Sequence, residues 1–466
     1  MANIEDLDFY GSPEEVMNLL KQKSIILPMW GNLIKEYEPT LHPVMNKAEY
    51  PDIANDDGTL ERVTRVTYNL QRLAVKRMVE LCNGIPVQRV YTPTDEKQKE
   101  VAGVMERVFQ RNRIDSVNNE RLTMLFAGCE VLTLWYGIED KNNVYGFKSN
   151  VKFRCGNFSP MLGDELYPLF DEYGDMVAMS VAYTRKVKNK DVSYFDAYTK
   201  DAHFKWGNED GWQLIEQDDL ANLGKIPAVY VWRPTPIWED TSRMVYEMEW
   251  AMSRNGNYLR KNSKPLFVVT ASENISYGNE ENESKEFRSI LQLPSGSSAN
   301  YVTWGQAIDN LKFYVSELRS SFFTQLQLPD WNYEKMSQQA LSGESRKQLF
   351  IDAQLKVKDE SGRLIEFFDR EVNVIRQFLK LAMGESYAEA IENLSVENVI
   401  TPFSIGDDAT TIDNLMKANG NKPLMSQREA IARFGYSQDV EATLNEIKEE
   451  SEYYEYNADG VDTITE

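Results

Sequence analysis

The feature that most constrains the fold of this chain is a helical pattern about forty residues long in its C-terminal third. From about Ser342 to Met383, apolar side chains recur three or four positions apart. They are Leu349, Phe350, Val357, Leu364, Phe367, Phe368, Val372, Ile375, Leu379 and Met383. At ~1.5 Å per residue, such a helix spans roughly 60 Å. We expect it to brace a structure larger than one small domain, with any bend at Gly362.

A turn-prone, aromatic stretch precedes this helix. It reads LQLPDWNYEKMSQQALSGES, residues 326–345, and it carries Pro329 and Trp331 ahead of the Ser342-Gly343 pair. A simple connection between two helices needs only a few residues. We therefore interpret this stretch as a loop with a function of its own.

A change of residue pattern marks a β unit in the middle of the chain. Between Glu130 and Arg233, short β-branched and aromatic runs alternate with polar turns. The runs are EVLTLWYG, VYGFKSNVKF, MVAMSVAYTRKV, VSYFDAYT, HFKWG, GWQLIE and the closing LGKIPAVYVWRP. We predict a mainly antiparallel sheet that ends near Pro234 and Pro236.

Helical patterns flank the β unit on both sides. Before it, we predict helices over residues 14–22, 95–112 and 116–128. A further helical pattern ends at Asn83-Gly84 and comprises Val63, Val66, Leu70, Leu73, Ala74 and Leu81. After the β unit, residues 241–261 return to helix. The expected fold class is therefore α+β.

A small insertion separates that helix from the next one. Within residues 264–306, PLFVVTA and SGSSANYVTWG read as strands around a short acidic helix. The helix that follows carries the apolar stripe Ile308, Leu311, Val315, Leu318 and Phe322. This spacing is compatible with ordinary core packing and with helix contact to a neighbouring subunit.

The charge of the chain limits how tightly its surface can bind nucleic acid. Its 466 residues hold 51 basic and 73 acidic side chains, a formal net charge of −22. High affinity for duplex DNA depends largely on neutralised phosphates, so the average surface is not a tight DNA binder. An acidic wall could still surround DNA and let it slide. The alternative is that the charge keeps a large assembly soluble.

No recognisable catalytic or metal motif is present in the sequence. The two histidines are far apart, and Cys82, Cys129 and Cys155 lack the paired spacing of a zinc site. The Asp407-Asp408 pair reads as a turn and helix start, with a metal site as the alternative. We predict no catalytic residues, no metal and no cofactor.

The compartment follows from the cysteines and from the absence of hydrophobic segments. Three cysteines leave an odd thiol in any disulfide scheme, so we expect unmodified thiols in a reducing compartment. No apolar run approaches the ~18 residues that a membrane span needs, and the N-terminus MANIEDLDFY is acidic where a signal peptide is basic. We expect a soluble protein made in the cytoplasm, with no membrane partner.

From about Arg62 to Glu450 the chain resembles the portal proteins of tailed bacteriophages, in particular those of the Bacillus siphophage type. The resemblance is carried by RVTYNLQRLAVKRMVELCNGIPV, GCEVLTLWYG, LGKIPAVYV, LPDWNYEKMSQQALSGESRKQLF and KPLMSQREAIARFGYSQDVEATLNEIKEE. Each stretch is weak alone, but their order and spacing are specific. The Pro-Asp pair, followed by Ser-Gly ahead of a long helix, carries most of the match.

The resemblance implies a ring, usually a dodecamer, at one vertex of the capsid. Double-stranded DNA passes through its channel, driven by the terminase large subunit, and is later ejected. The other implied partners are the major capsid and scaffolding proteins and the head-completion or adaptor proteins. The expected location is the virion, after synthesis in the cytoplasm of a bacterial host.

The resemblance also implies a division of the chain into domains. Carried onto this sequence, the parts are a wing of residues 1–129 (helical) and 130–240 (β-rich), stem helices at 241–263 and 307–328, a clip at 264–306, a tunnel loop at 329–343, a long wing helix region at 344–399, and a crown with an acidic tail at 400–466.

Two groups of site residues follow from these parts. The tunnel loop is expected to project toward the DNA with Pro329, Asp330, Trp331, Asn332, Tyr333, Glu334, Lys335, Met336, Ser337, Gln338, Gln339, Ser342 and Gly343. The clip is expected to dock the terminase with Glu280, Glu281, Glu283, Lys285, Glu286 and Arg288. Trp331 and Tyr333 could touch DNA or pack the base of the loop.

Basic residues near the stem stand out beside a channel expected to repel DNA. They are Lys335, Arg254, Arg260, Lys261, Lys264, Lys312 and Arg319. Ion pairs with neighbouring subunits and contacts with phosphates are both open at this point.

Two other classes of protein remain as alternatives. A magnesium-dependent nuclease would need three or four acids converging on the metal, and no compact acidic cluster on strand ends is visible. Another structural protein of the virion is the second alternative. The long helix after a Pro-Asp to Ser-Gly loop favours a portal over that reading.

Overall fold

The computed structural model describes residues 9–22, 25–54, 58–262, 266–270, 298–302, 308–330, 351–402, 426 and 443–450. The chain divides into two units. The larger unit, residues 1–332 and 350–403, holds all of the elements named below. In the smaller unit, residues 333–349 and 404–466, the described part is residue 426 and a helical stretch at 443–450.

Most helices of the larger unit lie where the apolar spacing of the sequence predicts them. They are α1 (Pro13–Leu20), α2 (Trp30–Tyr37), α3 (Leu70–Asn83), α4 (Glu96–Arg111), α5 (Ile114–Gly128), α6 (Ser242–Asn262), α7 (Ile308–Gln325), α8 (Ile351–Met383) and α9 (Ala388–Asn393). Short 3-10 turns occupy Pro39–Leu41, Pro43–Met45, Pro160–Leu162 and Glu385–Tyr387.

The strands are antiparallel throughout the described residues, which confirms the predicted α+β class. They are β1 (Ile53–Ala54), β2 (Leu60–Glu61), β3 (Gln88–Thr92), β4 (Glu130–Asn142), β5 (Ser149–Phe158), β6 (Glu165–Phe170), β7 (Met176–Val187), β8 (Lys190–Thr199), β9 (Ala202–Asn208), β10 (Trp212–Asp219), β11 (Ala228–Trp232), β12 (Leu266–Thr270), β13 (Ser298–Val302) and β14 (Ser395–Val399). The sheet orders are β10-β9-β8-β7-β6 and β11-β4-β5, and the pairs are β1-β2, β12-β13 and β3-β14.

Side chains alternate between the two faces of a strand, so each sheet can turn one apolar face to a partner. The two larger sheets pack against each other in this way and share a core. On β7, Met179 and Val181 pack against Leu132 of β4 and Tyr230 of β11. The opposite face of the same five-stranded sheet presents residues such as Phe195 to α1. The β unit is therefore a two-sheet layer that α1 covers from one side.

The long helix α8 is anchored to the helical core by a buried ion pair. Arg121 of α5 donates from both terminal nitrogens to Glu371, at 2.6 and 2.8 Å, and Trp135 Nε1 donates to the same carboxylate at 3.1 Å. Burial alone would raise the pKa of Glu371, but the charge and hydrogen bonds of Arg121 bring it below the ordinary value. The Arg121 guanidinium also lies over the ring of Phe367, 4.6 Å from its centre.

Of two predicted helix bounds, one lies partly outside the described residues and the other is wrong. The described part of α8 begins at Ile351 and continues through Gly362 without interruption, and residues 342–350 lie outside the described residues. The pattern that includes Val63 and Val66 is not helical at its start, because α3 begins only at Leu70. Residues 62–69 belong to no helix or strand, and we name them the strap.

Candidate functional site

Among the residues that the structure describes, the base of the predicted tunnel loop is the best-defined candidate site. The described residues end at Asp330, directly after Pro329. Arg319 of α7 donates two hydrogen bonds to the Asp330 carboxylate, from Nε at 3.0 Å and from Nη2 at 2.9 Å. A bidentate arginine–carboxylate pair fixes direction as well as distance. The loop therefore leaves α7 from a fixed point.

A second arginine holds the same base from another element. Arg77 of α3 donates to the carbonyl oxygen of Pro329, and its Nη1 lies 3.6 Å from Asp330 Oδ1. Its guanidinium stacks over the ring of Phe323, 4.6 Å from the ring centre, and the Arg319 guanidinium lies 5.6 Å from that same centre. Phe323 is 2% exposed, so the two cations share a buried aromatic platform. We name Arg77, Arg319, Phe323 and Asp330 the clamp.

Burial and pairing act differently on the two arginines of the clamp. The hydrogen bond with Asp330 raises the pKa of Arg319. Burial lowers the pKa of Arg77, and Asp330 opposes that shift. Both side chains stay charged because an arginine guanidinium titrates far above neutral pH. The clamp thus places two positive charges on one carboxylate.

The helix that leads into the clamp ends in a Schellman motif. Leu328 N–H donates to the carbonyl of Phe323 at 3.0 Å, and Gln327 N–H donates to that of Thr324 at 3.1 Å. Gln327 has a φ of 54°, in the left-handed region that this motif requires. Glycine usually occupies that position because it has no Cβ. The turn aims Pro329 and Asp330 back toward Arg77.

The strap follows α6 in a regular register. Three backbone N–H groups donate to side chains of α6: Thr64 to Asn257 Oδ1 at 2.6 Å, Val66 to Ser253 Oγ at 2.8 Å and Tyr68 to Glu249 Oε1 at 2.8 Å. Four helix residues rise ~6.0 Å and two residues of extended chain ~6.6 Å, so the two spacings match. The strap therefore runs antiparallel to α6.

Close approach and buried pairing keep the strap on α6. A Cβ added at Gly256 would lie 2.7 Å from Thr64 Cγ2, so only glycine allows this contact. Glu249 also pairs with His42 Nδ1 at 2.7 Å, and both side chains are fully buried. The strap leads directly into α3, which carries Arg77. Residues 64–77 thus connect α6 to the clamp.

The predicted stem stripe lies on α7, which packs against α6. Phe322 is fully buried in the core of this chain, as core packing predicts. Val315 and Leu318 are partly buried and pack against that core. Leu311 is partly buried, and the side chain of Ile308 lies outside the described residues. Contact of the stripe with a second subunit stays a prediction.

Most of the predicted loop and clip residues lie outside the described residues. For the loop these are Trp331, Asn332, Tyr333, Glu334, Lys335, Met336, Ser337, Gln338, Gln339, Ser342 and Gly343, and for the clip Glu280, Glu281, Glu283, Lys285, Glu286 and Arg288. Strands β12 and β13 do pair, with Thr270 opposite Ser298, where the sequence predicts two strands. Asp407 and Asp408 also lie outside the described residues.

Several basic residues near the stem have partners within the chain. Arg319 binds Asp330 in the clamp. Arg260 donates to the carbonyl of Arg62 and lies 3.5 Å from Glu61, and the Arg254 guanidinium lies over Trp250. The sequence offered no signal for the Arg260 pairings, because Glu61 and Arg62 are almost two hundred positions away, whereas Arg254 and Trp250 lie four residues apart on one predicted helix.

The residues that the structure describes lack a metal-binding cluster and a membrane-spanning helix. These residues contain no group of three or more His, Cys, Asp or Glu side chains placed to hold a metal ion. They also contain no helix long and apolar enough to cross a membrane. Cys82, Cys129 and Cys155 are free thiols, and burial raises the pKa of each.

Comparison with known families assigns the chain to a class of protein. The family described as phage portal protein, SPP1 Gp6-like, matches residues 14–455. The chain therefore belongs to this family of phage portal proteins, which are structural proteins of the virion at the head-to-tail connection rather than enzymes. No curated protein matches the sequence.

Solved structures of gene transfer agent (GTA) particles are similar to the chain at low identity. A chain from the neck of a native particle, computed with C12 symmetry, has 10% identity and a TM-score of 0.42, covering 91% of this chain and 98% of that one. A chain from the neck of an empty particle, computed with C6 symmetry, has 10% identity and a TM-score of 0.40, covering 86% and 95%. A chain from the virion of a native particle has 7% identity and a TM-score of 0.40, covering 91% and 99%. Similarity at this level carries no argument, so the assignment rests on the family match.

Proposed function

We propose that this portal protein forms a ring, most simply a dodecamer, at one vertex of a phage capsid. Double-stranded DNA enters through the channel of the ring under the action of the terminase and leaves by the same route at ejection. The family match over residues 14–455 is the observation that carries this proposal. We further propose that the phage is of the Bacillus siphophage type and that the chain is made in the host cytoplasm before it joins the virion.

The domain roles are part of the same proposal. Helices α6 and α7 would form the stem, β12 and β13 the base of the clip, and α8 the brace of the wing. Residues 1–240 would complete the wing, and residues from 400 onward the crown. Capsid and scaffolding proteins would meet the outside of the ring, and head-completion proteins would bind it after packaging.

The clamp supports a channel role for the loop that follows it. A loop that meets moving DNA needs ends that do not move with the DNA. Arg77 and Arg319 hold Pro329 and Asp330 from two different helices, so force on the loop is passed to the body of the chain. The net charge of −22 fits a channel that offers duplex DNA no deep electrostatic well.

Deletion of the loop tip tests this role. In a phage without its own portal gene, the chain lacking residues 332–341 should assemble rings as the full chain does, while packaged DNA per capsid falls to background. The matched control is D359N, which changes one exposed acid on α8. Normal packaging by the deletion variant would contradict the proposed role, and loss of folding would show that the stretch belongs to the core.

The clip can be tested separately because its two strands pair. Thr270 lies opposite Ser298, so an Asn-Gly turn in place of residues 271–297 closes a hairpin without changing the register. We expect this variant to form rings and to lose binding to the terminase large subunit in a pull-down. Unchanged binding would place terminase docking on another face.

A further inference from the structure

Two basic stretches without any acidic residue stand out in this acidic chain. Residues 107–114 hold three arginines, and residues 141–163 hold three lysines and one arginine. The seven are Arg107, Arg111, Arg113, Lys141, Lys148, Lys152 and Arg154. The whole chain has 73 acidic and 51 basic side chains, so this concentration of positive charge is local. None of the seven has a role in the function proposed above.

The fold brings the two stretches together. The first covers the end of α4 and the turn after it, and the second covers the turn of the β4–β5 hairpin and β5. Asn112 Nδ2 donates to the carbonyl of Phe153 at 3.2 Å, and Arg107 Nη1 donates to the carbonyl of Tyr145 at 2.8 Å. These contacts join α4 to the hairpin, so the charges of the two stretches add on one part of the molecule.

Three of the arginines lie close to Tyr145, in the turn of the hairpin. The Tyr145 side chain is buried. Burial raises the pKa of Tyr145, and the positive charges of Arg154 and Arg111 oppose this shift. Arg107 binds the carbonyl of the same residue. We name Arg107, Arg111 and Arg154 the arginine patch.

The positive charges of the arginine patch are not neutralised within the described part of the chain. There, Arg111 and Arg154 make no hydrogen bond and no ion pair. The acceptor of Arg107 is a carbonyl oxygen, which holds the guanidinium in place without compensating its charge. Arg107 and Arg111 are exposed, and Arg154 is half-buried. The patch therefore presents its charge to solvent.

Four acids lie beside the patch and weaken its field without cancelling it. Asp140 lies 3.7 Å from Lys152, and Glu106 accepts hydrogen bonds from uncharged side chains. The other two are Asp115, in the first turn of α5, and Glu139, on β4. These four stand against seven basic side chains, so the region keeps a net positive charge.

The phosphate backbone of DNA suits such a surface. Proteins contact phosphates through Arg and Lys on polar surfaces, whereas the centre of a protein–protein interface is depleted of charged residues. Two exposed apolar side chains, Tyr136 and Ile138, lie opposite Arg154 and Lys152 on β4, which makes a protein surface the competing occupant. The unpaired charges favour DNA, which is also the polyanion that the proposed function brings to this chain.

We propose that the arginine patch binds the phosphate backbone of duplex DNA outside the channel. The inference rests on the proposed portal function, and it adds a second DNA contact on residues assigned there to the wing. Contacts with phosphates carry no sequence information. A few of them on an acidic chain give weak binding that depends strongly on salt. Such binding retains DNA at the wing without fixing its position.

A closed circular duplex tests this contact, because a circle has no end to enter the channel of an assembled ring. Retention of the labelled circle on a protein-binding filter measures its affinity for the purified full chain between about 50 and 200 mM salt. We expect R111Q/R154Q to bind the circle about tenfold more weakly than the wild-type chain. Its plot of log affinity against log salt should be less steep by about 1.8, since two phosphate contacts are lost.

The matched control is K186Q/K190Q, which removes two exposed lysines beside the turn between β7 and β8. It changes the net charge of the chain as much as R111Q/R154Q does and should bind the circle within about twofold of the wild-type chain. Equal weakening by the two double variants would overturn the proposal. No binding of the circle by the wild-type chain at the lowest salt would overturn it as well.

Two further variants separate lost charge from lost structure. R111K/R154K keeps both charges and should bind the circle within about twofold of the wild-type chain. R111Q alone changes an exposed side chain, so it should fold, and its salt dependence should be less steep by about 0.9. If R111K/R154K binds as weakly as R111Q/R154Q, or if R111Q keeps the full salt dependence, the proposal is wrong.

Ring assembly separates this inference from the proposed function. Light scattering of the same samples reports whether each variant assembles. If R111Q/R154Q fails to assemble and wild-type rings bind no circle, then the patch is a contact between subunits and the DNA proposal is wrong. A chain that binds the circle through the patch but never forms rings contradicts the proposed portal function and leaves this inference standing.

Discussion

At the scale of single residues, the clamp shows how a loop can be held at its start by charge and shape together. One carboxylate, that of Asp330, receives two arginines, and both guanidinium groups lie over the same phenylalanine ring. The side chains of Asp330 and Arg77 are 9% and 6% exposed, so the pair is largely shielded from water. Removal of the carboxylate would leave Arg77 charged and buried.

The substitution D330N therefore carries a defined cost. We expect it to lower the free energy of unfolding by about 2 kcal/mol, because the shielded Arg77 loses one charged partner and Arg319 loses a bidentate contact. Urea unfolding at fixed chain concentration measures this, with D359N as the matched control. A change as small as that of the control would show that the clamp does not hold the loop base.

The left-handed residue at the end of α7 gives a prediction of opposite sign. Gln327 adopts a φ of 54°, which glycine tolerates better than glutamine. We expect Q327G to raise the free energy of unfolding by about 1 kcal/mol. A loss of stability in the same urea experiment would mean that the Gln327 side chain has a structural role that its exposed position does not indicate.

His203 predicts a pH dependence of stability. Its ring stacks on Tyr198, its Nδ1 lies 2.9 Å from Asp218, and its Nε2 lies 3.9 Å from Asp196. Burial would lower the pKa of His203, but the two carboxylates raise it above the ordinary 6.5. The folded state therefore favours the proton, and this stabilisation is complete below about pH 6.5 and is lost as the pH rises through the folded pKa.

The pH prediction is checked by urea unfolding between pH 6 and 9. We expect wild-type stability to fall across this range relative to H203Q, which has no titrating ring. Tyr183, which donates to Asp196, stays protonated throughout, because burial raises its pKa. Parallel profiles for the two proteins would contradict the assignment.

At the scale of elements, the strap shows what the sequence pattern could and could not predict. Strand β7, Met176–Val187, and helix α6 lie where apolar alternation and spacing predict them. The strap was missed because Val63, Val66 and Leu70 happen to fit helical spacing. Side chains of α6, almost two hundred positions away, instead bind the backbone N–H groups of the strap.

Two glycine substitutions in helices separate the strap contact from helix propensity. In a helix interior, alanine is more favourable than glycine by about 1 kcal/mol of folding free energy. At Gly362 on α8 nothing lies within 4 Å of an added Cβ, so G362A should raise the free energy of unfolding by about that amount. G256A on α6 should lose stability instead, because its Cβ would lie 2.7 Å from Thr64 Cγ2 and push the strap away. Equal increases in the thermal unfolding midpoint of G362A and G256A would contradict the contact between the strap and α6.

The candidate site was predictable only in part for the same physical reason. The Pro-Asp pair marked the start of the loop, since proline and aspartate favour turns. The role of Arg319 and Arg77 depends on tertiary contacts across 11 and 252 positions, which no local pattern encodes. Trp331 and Tyr333 lie outside the described residues. Whether their side chains contact DNA or pack against the base of the loop therefore stays open.

At the scale of the whole molecule, charge and connectivity point to one arrangement. Under the proposed function, a strongly acidic chain with a long helix suits a large assembly through which DNA passes without tight binding. The strap, α3 and the clamp link α6 to the loop base, so in the proposed ring the stem and the loop would respond together to DNA.

The most direct test of this account is the mass and shape of the purified chain. Multi-angle light scattering after size exclusion, with negative-stain images of the same peak, measures both. The account predicts a mass near twelve times 53.8 kDa and ring-shaped particles with a central hole. The account would be contradicted by a stable monomer or dimer that forms no ring even when the capsid proteins are supplied together with the chain.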